Sequence, residues 1–361
     1  MRYSLLSLSL LGMLALAACG TDSLDTGVLG QGELVANGLS FNGLTFNGVT
    51  FNGLTFNGLT FNGLTFNGIT FNGISFNGIS FNGSGYSSSG TSSATLSSSQ
   101  LVATDSSGRS RSGSDLAGAK LKGQLSNNST IPVRIDSVSY DSSTRLYQYA
   151  VSLGADNGTW VPLCGVANGA PVTAVPIIGK YDALSGDYTP DESLFTFACT
   201  NAALGKCVVW GYKPWSYQQE CRSGRDCKYQ SLDEWHAACT RMVRADYCGD
   251  GVPHTRNGTS INIWDVFGIQ TETNTGWEME AEWTPSGAEC IRHTRWVTAD
   301  SKTTGGLTDL AYIQANCPKR LAVNNNSWDC RSDRSDFLTR YGYSTDPNDR
   351  RLLRNESIVN Q

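Results

Sequence analysis

The chain has 361 residues, with 27 lysines and arginines against 32 aspartates and glutamates, for a formal net charge of -5. No dense basic stretch occurs, and the arginines near the C-terminus (Arg331, Arg334, Arg340, Arg350, Arg351, Arg354) alternate with acidic and polar residues, which excludes a nucleic-acid partner from the expected functions. The length is enough for two or three folded units.

Residues 1–18 have the layout of an export signal: a basic start at Arg2, an apolar run from Leu5 to Leu16, then Ala17-Ala18-Cys19. The apolar run is too short to span a bilayer. Leu16-Ala17-Ala18-Cys19-Gly20 resembles the bacterial lipobox, which implies that Cys19 is lipidated and becomes the mature N-terminus. An ordinary signal peptide with a chance cysteine is the alternative. Several acyl chains on one cysteine would anchor the protein stably, where a single chain binds only marginally. Gly20 and Thr21, with no aspartate after the cysteine, point to the outer membrane. Residues 19–36 read as a tether.

From Asn37 to Gly83 a five-residue unit, Asn-Gly-(Leu/Val/Ile)-(Ser/Thr)-Phe, recurs, with Phe-Asn-Gly appearing nine times between Phe41 and Gly83. Glycine at every fifth position excludes a helix, since each costs about 1 kcal/mol relative to alanine. An odd period excludes one long strand, because equivalent side chains would fall on alternate faces. Asn-Gly corners joining short extended sides satisfy both constraints. The stretch resembles the pentapeptide-repeat family, which implies a short square β-solenoid. Its bulky aliphatic or Asn residues, where that family places a small one, leave the register open. A flexible spacer is the competing reading. Residues 84–115 are rich in Ser and Gly and read as a linker.

From residue 116 to 345 the pattern is that of a mainly β domain with a few short helices. Apolar or alternating runs at Ala119–Leu125, Ile131–Tyr140, Leu146–Leu153, Thr159–Cys164 and Val172–Ile178 predict strands, with Asp156-Asn157-Gly158 as a hairpin turn. Ser231-Leu232-Asp233-Glu234 reads as a capping box opening a helix whose Trp235, Cys239 and Met242 share one face. Thr308–Cys317 reads as a second helix stopped by Pro318. Residues 346–361 read as a polar tail.

Of 11 cysteines, Cys19 is set aside for lipid. The others, Cys164, Cys199, Cys207, Cys221, Cys227, Cys239, Cys248, Cys290, Cys317 and Cys330, are even in number and all lie beyond residue 160, as expected of disulfides in the folded domain of an exported chain. Spacing nominates Cys221 with Cys227, and Cys317 with Cys330. Zinc is disfavoured: no C-x-x-C pair occurs, and the chain has 3 histidines, His236, His254 and His293. No metal or other cofactor is expected.

The densest motif is Ala245-Asp246-Tyr247-Cys248-Gly249-Asp250-Gly251, followed by Pro253-His254-Thr255-Arg256-Asn257-Gly258-Thr259 and Ile263-Trp264-Asp265-Val266-Phe267-Gly268-Ile269. With Lys206–Trp215, Glu282-Trp283-Thr284-Pro285 and His293-Thr294-Arg295, it resembles the ADYC domain, a bacterial family of predicted secreted proteins and lipoproteins, over about residues 195–300. The resemblance implies no established activity. Three chemistries compete with a structural role for the motif. A calcium loop of the EF-hand kind fails because Cys248 stands where an oxygen ligand is needed and Asn257 where a glutamate is needed. A hydrolase would pair His254 or His293 with Asp250, Asp265 or Glu282. A cysteine nucleophile conflicts with the even cysteine count. The structural role has Cys248 bridged, Gly249 and Gly251 in a tight turn, and Asp246 and Asp250 accepting backbone amides. Tryptophans, 9 in all, are expected mainly in the core, though exposed ones could stack on sugars or peptides. The expected function is an outer-membrane lipoprotein with a non-catalytic binding or envelope-structural role. Its expected contacts are the membrane, through the lipid, and an envelope protein or glycan; a secreted hydrolase of envelope polymers is the alternative.

Overall fold

The computed structural model describes residues 93–104, 109–124, 130–154, 158–181, 187–191, 194–222, 226–255, 259–265, 267–271, 276–298, 305–322 and 353–358, together with short strands within 49–61 and 80–82. Among the described residues the fold is mainly β, with three short α-helices and three disulfides whose two cysteines are both described.

The first half is a closed antiparallel barrel. Its strands are β1 (Ser80–Asn82), β5 (Lys120–Gln124), β6 (Thr130–Asp141), β7 (Leu146–Gly154), β9 (Ala174–Ile178) and β10 (Leu194–Cys199), with β2 (Ser93–Ser97), β3 (Gln100–Thr104) and β4 (Ser110–Ser112) forming a side sheet and β8 (Trp160–Pro162) extending the end of β7. The sheet closes because β6 pairs with both β5 and β7. In β6, Ile131, Val133 and Ile135 are buried, while Pro132 is exposed and Arg134 and Asp136 are half-buried, the period-two pattern of a strand with one face in the core. These residues join Tyr149, Val151, Leu153, Phe195 and Phe197 in one cluster. The predicted strands all form, with those at 119–125, 159–164 and 172–178 shortened by one or two residues at an end and those at 131–140 and 146–153 extended by one.

Two sequence expectations change here. The linker reading of residues 84–115 fails over Ser93–Ser112, which forms β2, β3 and β4. Leu101 and Ala103 enter the barrel core, Ala94 and Leu96 pack against it, and the Leu101 amide donates to the Tyr149 hydroxyl at 2.8 Å. A few alternating apolar residues suffice to seat a serine-rich strand on an existing core. Within the repeat, Val49–Phe51, Leu54–Phe56 and Thr60–Phe61 pair antiparallel, with Phe51 opposite Leu54. An Asn-Gly pair can close a two-residue hairpin as well as turn a corner. Ser80–Asn82, at the end of the repeat, is instead barrel strand β1; the remainder of the repeat, like Cys19 and the signal and tether, lies outside the described residues.

Helix α1 (Ala203–Val209) follows β10 and covers the barrel's outer face, where Val175, Ile177, Ala198, Leu204 and Val208 pack together. Next come the hairpin β11 (Tyr217–Arg222) and β12 (Asp226–Ser231), then helix α2 (Asp233–Arg244). Trp235, Cys239 and Met242 lie on the buried face of α2 as expected. The capping box is looser than read: Ser231 Oγ accepts the Asp233 amide at 3.4 Å, and Leu232 occupies the cap. This helix packs on a second antiparallel sheet of β13 (Ile261–Asp265), β14 (Glu278–Thr284), β15 (Gly287–Ile291) and β16 (Leu353–Ser357). Helix α3 (Asp309–Asn316) starts at Thr308, whose hydroxyl accepts the Ala311 amide.

The polar-tail reading of 346–361 is also corrected. Residues 353–357 form β16, which lies between β13 and β14 at the centre of that sheet.

His236 on α2 faces the barrel side. Its Nε2 lies 3.0 Å from the Leu204 carbonyl and its Nδ1 3.5 Å from the Tyr181 hydroxyl. Burial pushes its pKa down from 6.5 to about 4. The unfolded chain therefore binds a proton that the folded chain refuses between these values, so this contribution is complete above pH 6.5 and is lost as pH falls toward 4. The expected loss is about 3 kcal/mol at 1.36 kcal/mol per unit. Urea midpoints measured across pH 4 to 7 are expected to show it, and His236→Gln, which cannot titrate, is expected to flatten that part of the profile.

Candidate functional site

The motif begins where α2 ends. Ala245 takes a left-handed conformation (φ 51°), its amide donates to the Met242 carbonyl, and the Asp246 amide donates to the Arg241 carbonyl. This is a Schellman cap with alanine where glycine is usual; the buried Ala245 methyl packs in the core. Asp246 is fully buried, and its carboxylate accepts Arg241 Nη1 at 2.6 Å and the Gly251 amide at 3.1 Å. Asp250 accepts the Val252 amide at 3.0 Å and the Tyr312 hydroxyl of α3 at 2.9 Å.

Tyr247 points into the second core. Its ring lies against Trp283 with centroids 5.4 Å apart, and its hydroxyl donates to Glu280 at 3.1 Å while accepting the Arg295 amide at 3.0 Å. Burial, with Glu280 adding to it, holds the Tyr247 pKa well above the usual 10, so the phenol stays neutral. Glu280 also receives Arg295 Nε at 2.8 and 2.9 Å and Asn355 Nδ2 at 2.8 Å, and Asn355 in turn accepts Trp283 Nε1 at 2.7 Å. Arg295 spends its remaining nitrogens on the Val243 and Met242 carbonyls at the end of α2, where a cation also meets the negative end of the helix dipole. An arginine and a glutamate, both fully buried, thus have their hydrogen-bonding capacity used inside the domain, as buried charge requires.

Cys248 is bonded to Cys317 at the end of α3. This corrects the Cys317–Cys330 pairing: α3 folds back onto the motif, and the partner nearest in space is 69 residues away in sequence. Cys164 joins Cys199 within the barrel, and Cys207 joins Cys239 between α1 and α2. Cys290 is also disulfide-bonded. Cys221 and Cys227 stand opposite each other in the β11–β12 register; their side chains, and Cys330, lie outside the described residues.

Gly249 (φ 70°) passes so close to the β14–β15 turn that a Cβ there would sit 1.8 Å from the Ser286 carbonyl oxygen. Gly249→Ala must move backbone and also bears left-handed strain, so a loss of about 3 kcal/mol or more is expected. Thermal unfolding checks this, with Gly118→Ala, where nothing lies within 4 Å of the added carbon, as a control for left-handed strain alone. Beside this contact is a surface hollow of about 310 Å³ lined by Thr284, Pro285, Ser286, Ala288, Glu289 and Arg320. Arg320 Nη1 donates to the Tyr247 and Ala288 carbonyls at 3.1 and 2.7 Å.

The family model for the ADYC domain matches residues 113–297. The chain belongs to the ADYC domain family. The matched span takes in the barrel strands β5 to β10 as well as the motif, and so begins well before the 195–300 region that carries the resemblance in sequence. It ends before α3 and β16, so Cys317, Asp309 and Asn355 reach the ADYC motif and its core from outside the match. No curated protein and no solved structure matches the chain.

The histidines named for a hydrolase are placed as follows. His254 Nδ1 lies 3.2 Å from Asp309, with the two side chains 0% and 2% exposed. The ring is flanked by Tyr247 and Tyr312, and neither residue lines the hollow. His293 contacts the Thr294 and Glu278 carbonyls at 3.1 and 3.3 Å. Asp265 is committed to the Phe267, Ile269 and Gln270 amides and the Tyr212 hydroxyl, and Glu282 to Arg354 at 2.8 Å. Among the described residues no group of three or more His, Cys, Asp or Glu is arranged to hold a metal ion. Trp235, Trp264 and Trp283 are buried, and the other described tryptophans are half-buried. The aromatic side chains that do reach solvent are tyrosines, which the sequence reading passed over. The signal was there in the alternation of Tyr217-Gln218-Gln219 against Tyr229-Gln230-Ser231.

Proposed function

We propose that this ADYC protein is an exported lipoprotein, anchored in the outer membrane through Cys19, with a non-catalytic role in binding or in envelope structure. In this reading residues 19–79 set the barrel away from the lipid surface. One observation carries it: disulfides join distant parts of the described fold, barrel to loop, α1 to α2 and motif to α3, and such bridges persist in an oxidising compartment outside the cytoplasm. The motif side chains support a scaffold role, since Ala245 caps a helix, Asp246 holds a turn, Tyr247 joins a buried network and Cys248 forms a bridge. Mass spectrometry of the mature protein from envelope fractions tests this reading. The expected result is an N-terminal diacylglyceryl cysteine at Cys19, with Cys19→Ser moving the protein to the soluble fraction. An unlipidated Cys19, or a wild-type protein already soluble, overturns it.

A further inference from the structure

The β11–β12 hairpin is a two-stranded sheet of its own among the described residues. In its register Tyr217 is opposite Ser231 and Gln219 opposite Tyr229. Residues two apart on a strand share a face, and so do directly opposed residues, so Tyr217, Gln219, Tyr229 and Ser231 all lie on one face, with the two tyrosines diagonal across the ladder. Tyr217 is 65% exposed and Tyr229 72%, the highest values among the large hydrophobic side chains described. Gln219 between them is also exposed. Two rings held outward on a strand pair forgo the burial that aromatic side chains normally gain.

We propose that this face of the hairpin arm binds neutral glycans. The four positions offer two flat apolar rings with polar tips, a carboxamide and a hydroxyl, and carry neither a charge nor an aliphatic side chain. A nucleic-acid strand would call for basic residues alongside the rings. A stable protein partner would call for a packed, fully desolvated apolar centre around its aromatic anchors, whereas here Gln219 and Ser231 set polar groups beside each ring. A sugar ring has an apolar C–H face for stacking and a rim of hydroxyls that both donate and accept, which Gln219 and Ser231 can satisfy. Diagonal positions lie about 7–8 Å apart, a span that suits an oligosaccharide better than a single sugar. The arm falls within the matched ADYC span. The proposal rests on reading the chain as an envelope-displayed binding protein and names the ligand class for that role.

The test is titration of the full chain, in detergent with its disulfides intact, with tetra-N-acetylchitotetraose, maltotetraose and an anionic tetragalacturonate, followed by calorimetry. The expected result is saturable binding of at least one neutral tetrasaccharide, weakened at least tenfold by Tyr217→Ala and by Tyr229→Ala and retained by the Tyr→Phe variants. Circular dichroism is expected to show the alanine variants folded, since both side chains face solvent. Binding of neither neutral sugar overturns the proposal, as does binding that both alanine variants leave unchanged. Self-association of the wild type that the alanine variants abolish also overturns it, by making a second copy the occupant. Failure here with Cys19 lipidated sinks only the glycan site; sugar binding by a chain with unmodified Cys19 sinks only the anchor.

Discussion

Arg295→Met is expected to destabilise the second half of the domain by about 3–5 kcal/mol, the cost of leaving a buried charge without its partner. The Glu280 carboxylate is fully buried and would keep only the Tyr247 hydroxyl and Asn355 Nδ2 as donors. The same substitution removes the donors to the Met242 and Val243 carbonyls, so the end of α2 that presents the motif loosens with it. Urea unfolding of the two proteins measures the difference. Adding Glu280→Gln to Arg295→Met is expected to recover part of the loss, because the isolated charge disappears while the carboxamide oxygen still accepts Asn355 Nδ2 and the Tyr247 hydroxyl can turn to accept from the new amide nitrogen. If Arg295→Met alone costs under about 1 kcal/mol, within the range of exposed ion pairs, the network does not hold the motif in place.

Removing residues 346–361 is expected to unfold the α2 half of the domain outright. The deletion takes β16 from between β13 and β14 and leaves both neighbours with unpaired backbone, each buried orphan group costing about 1–3 kcal/mol. It also takes Leu353 from the core, Asn355 from Trp283 and Glu280, Arg354 from Glu282, and Glu356 from Asn262. Against a usual total stability of about 5–15 kcal/mol, that half cannot remain folded. Limited proteolysis and near-ultraviolet circular dichroism read this directly, and a truncated chain with native tryptophan signals would show β16 to be dispensable.

The two halves of the fold were not equally legible in the sequence. Strands such as Ile131–Ile135 announce themselves because one face is buried against a core that alternation alone reveals. Helix α3 was readable from the run that starts at Thr308 and its stop at Pro318. Leu353-Arg354-Asn355-Glu356-Ser357 gave no such signal. Its polar side chains are buried by partners about 70 residues or more away, which no local pattern encodes. The Cys248–Cys317 bridge was hidden for the same reason: spacing favours a near neighbour, while the return of α3 onto the motif is a tertiary fact. The motif itself was readable as turn chemistry, glycines with flanking aspartates, but the roles of Tyr247 with Glu280 and of Arg295 with the helix end depend on the packing of α2 against β14.

The central claim is that the ADYC motif is a scaffold node locked by the Cys248–Cys317 disulfide, which the proposed export would keep oxidised. Peptide mapping of the unreduced, alkylated protein isolated from envelope tests it most directly. The account predicts Cys164 joined to Cys199, Cys207 to Cys239 and Cys248 to Cys317, with no alkylation at these six positions. Alkylated Cys248 or Cys317 in the native protein, or Cys317 joined instead to Cys330, would contradict it.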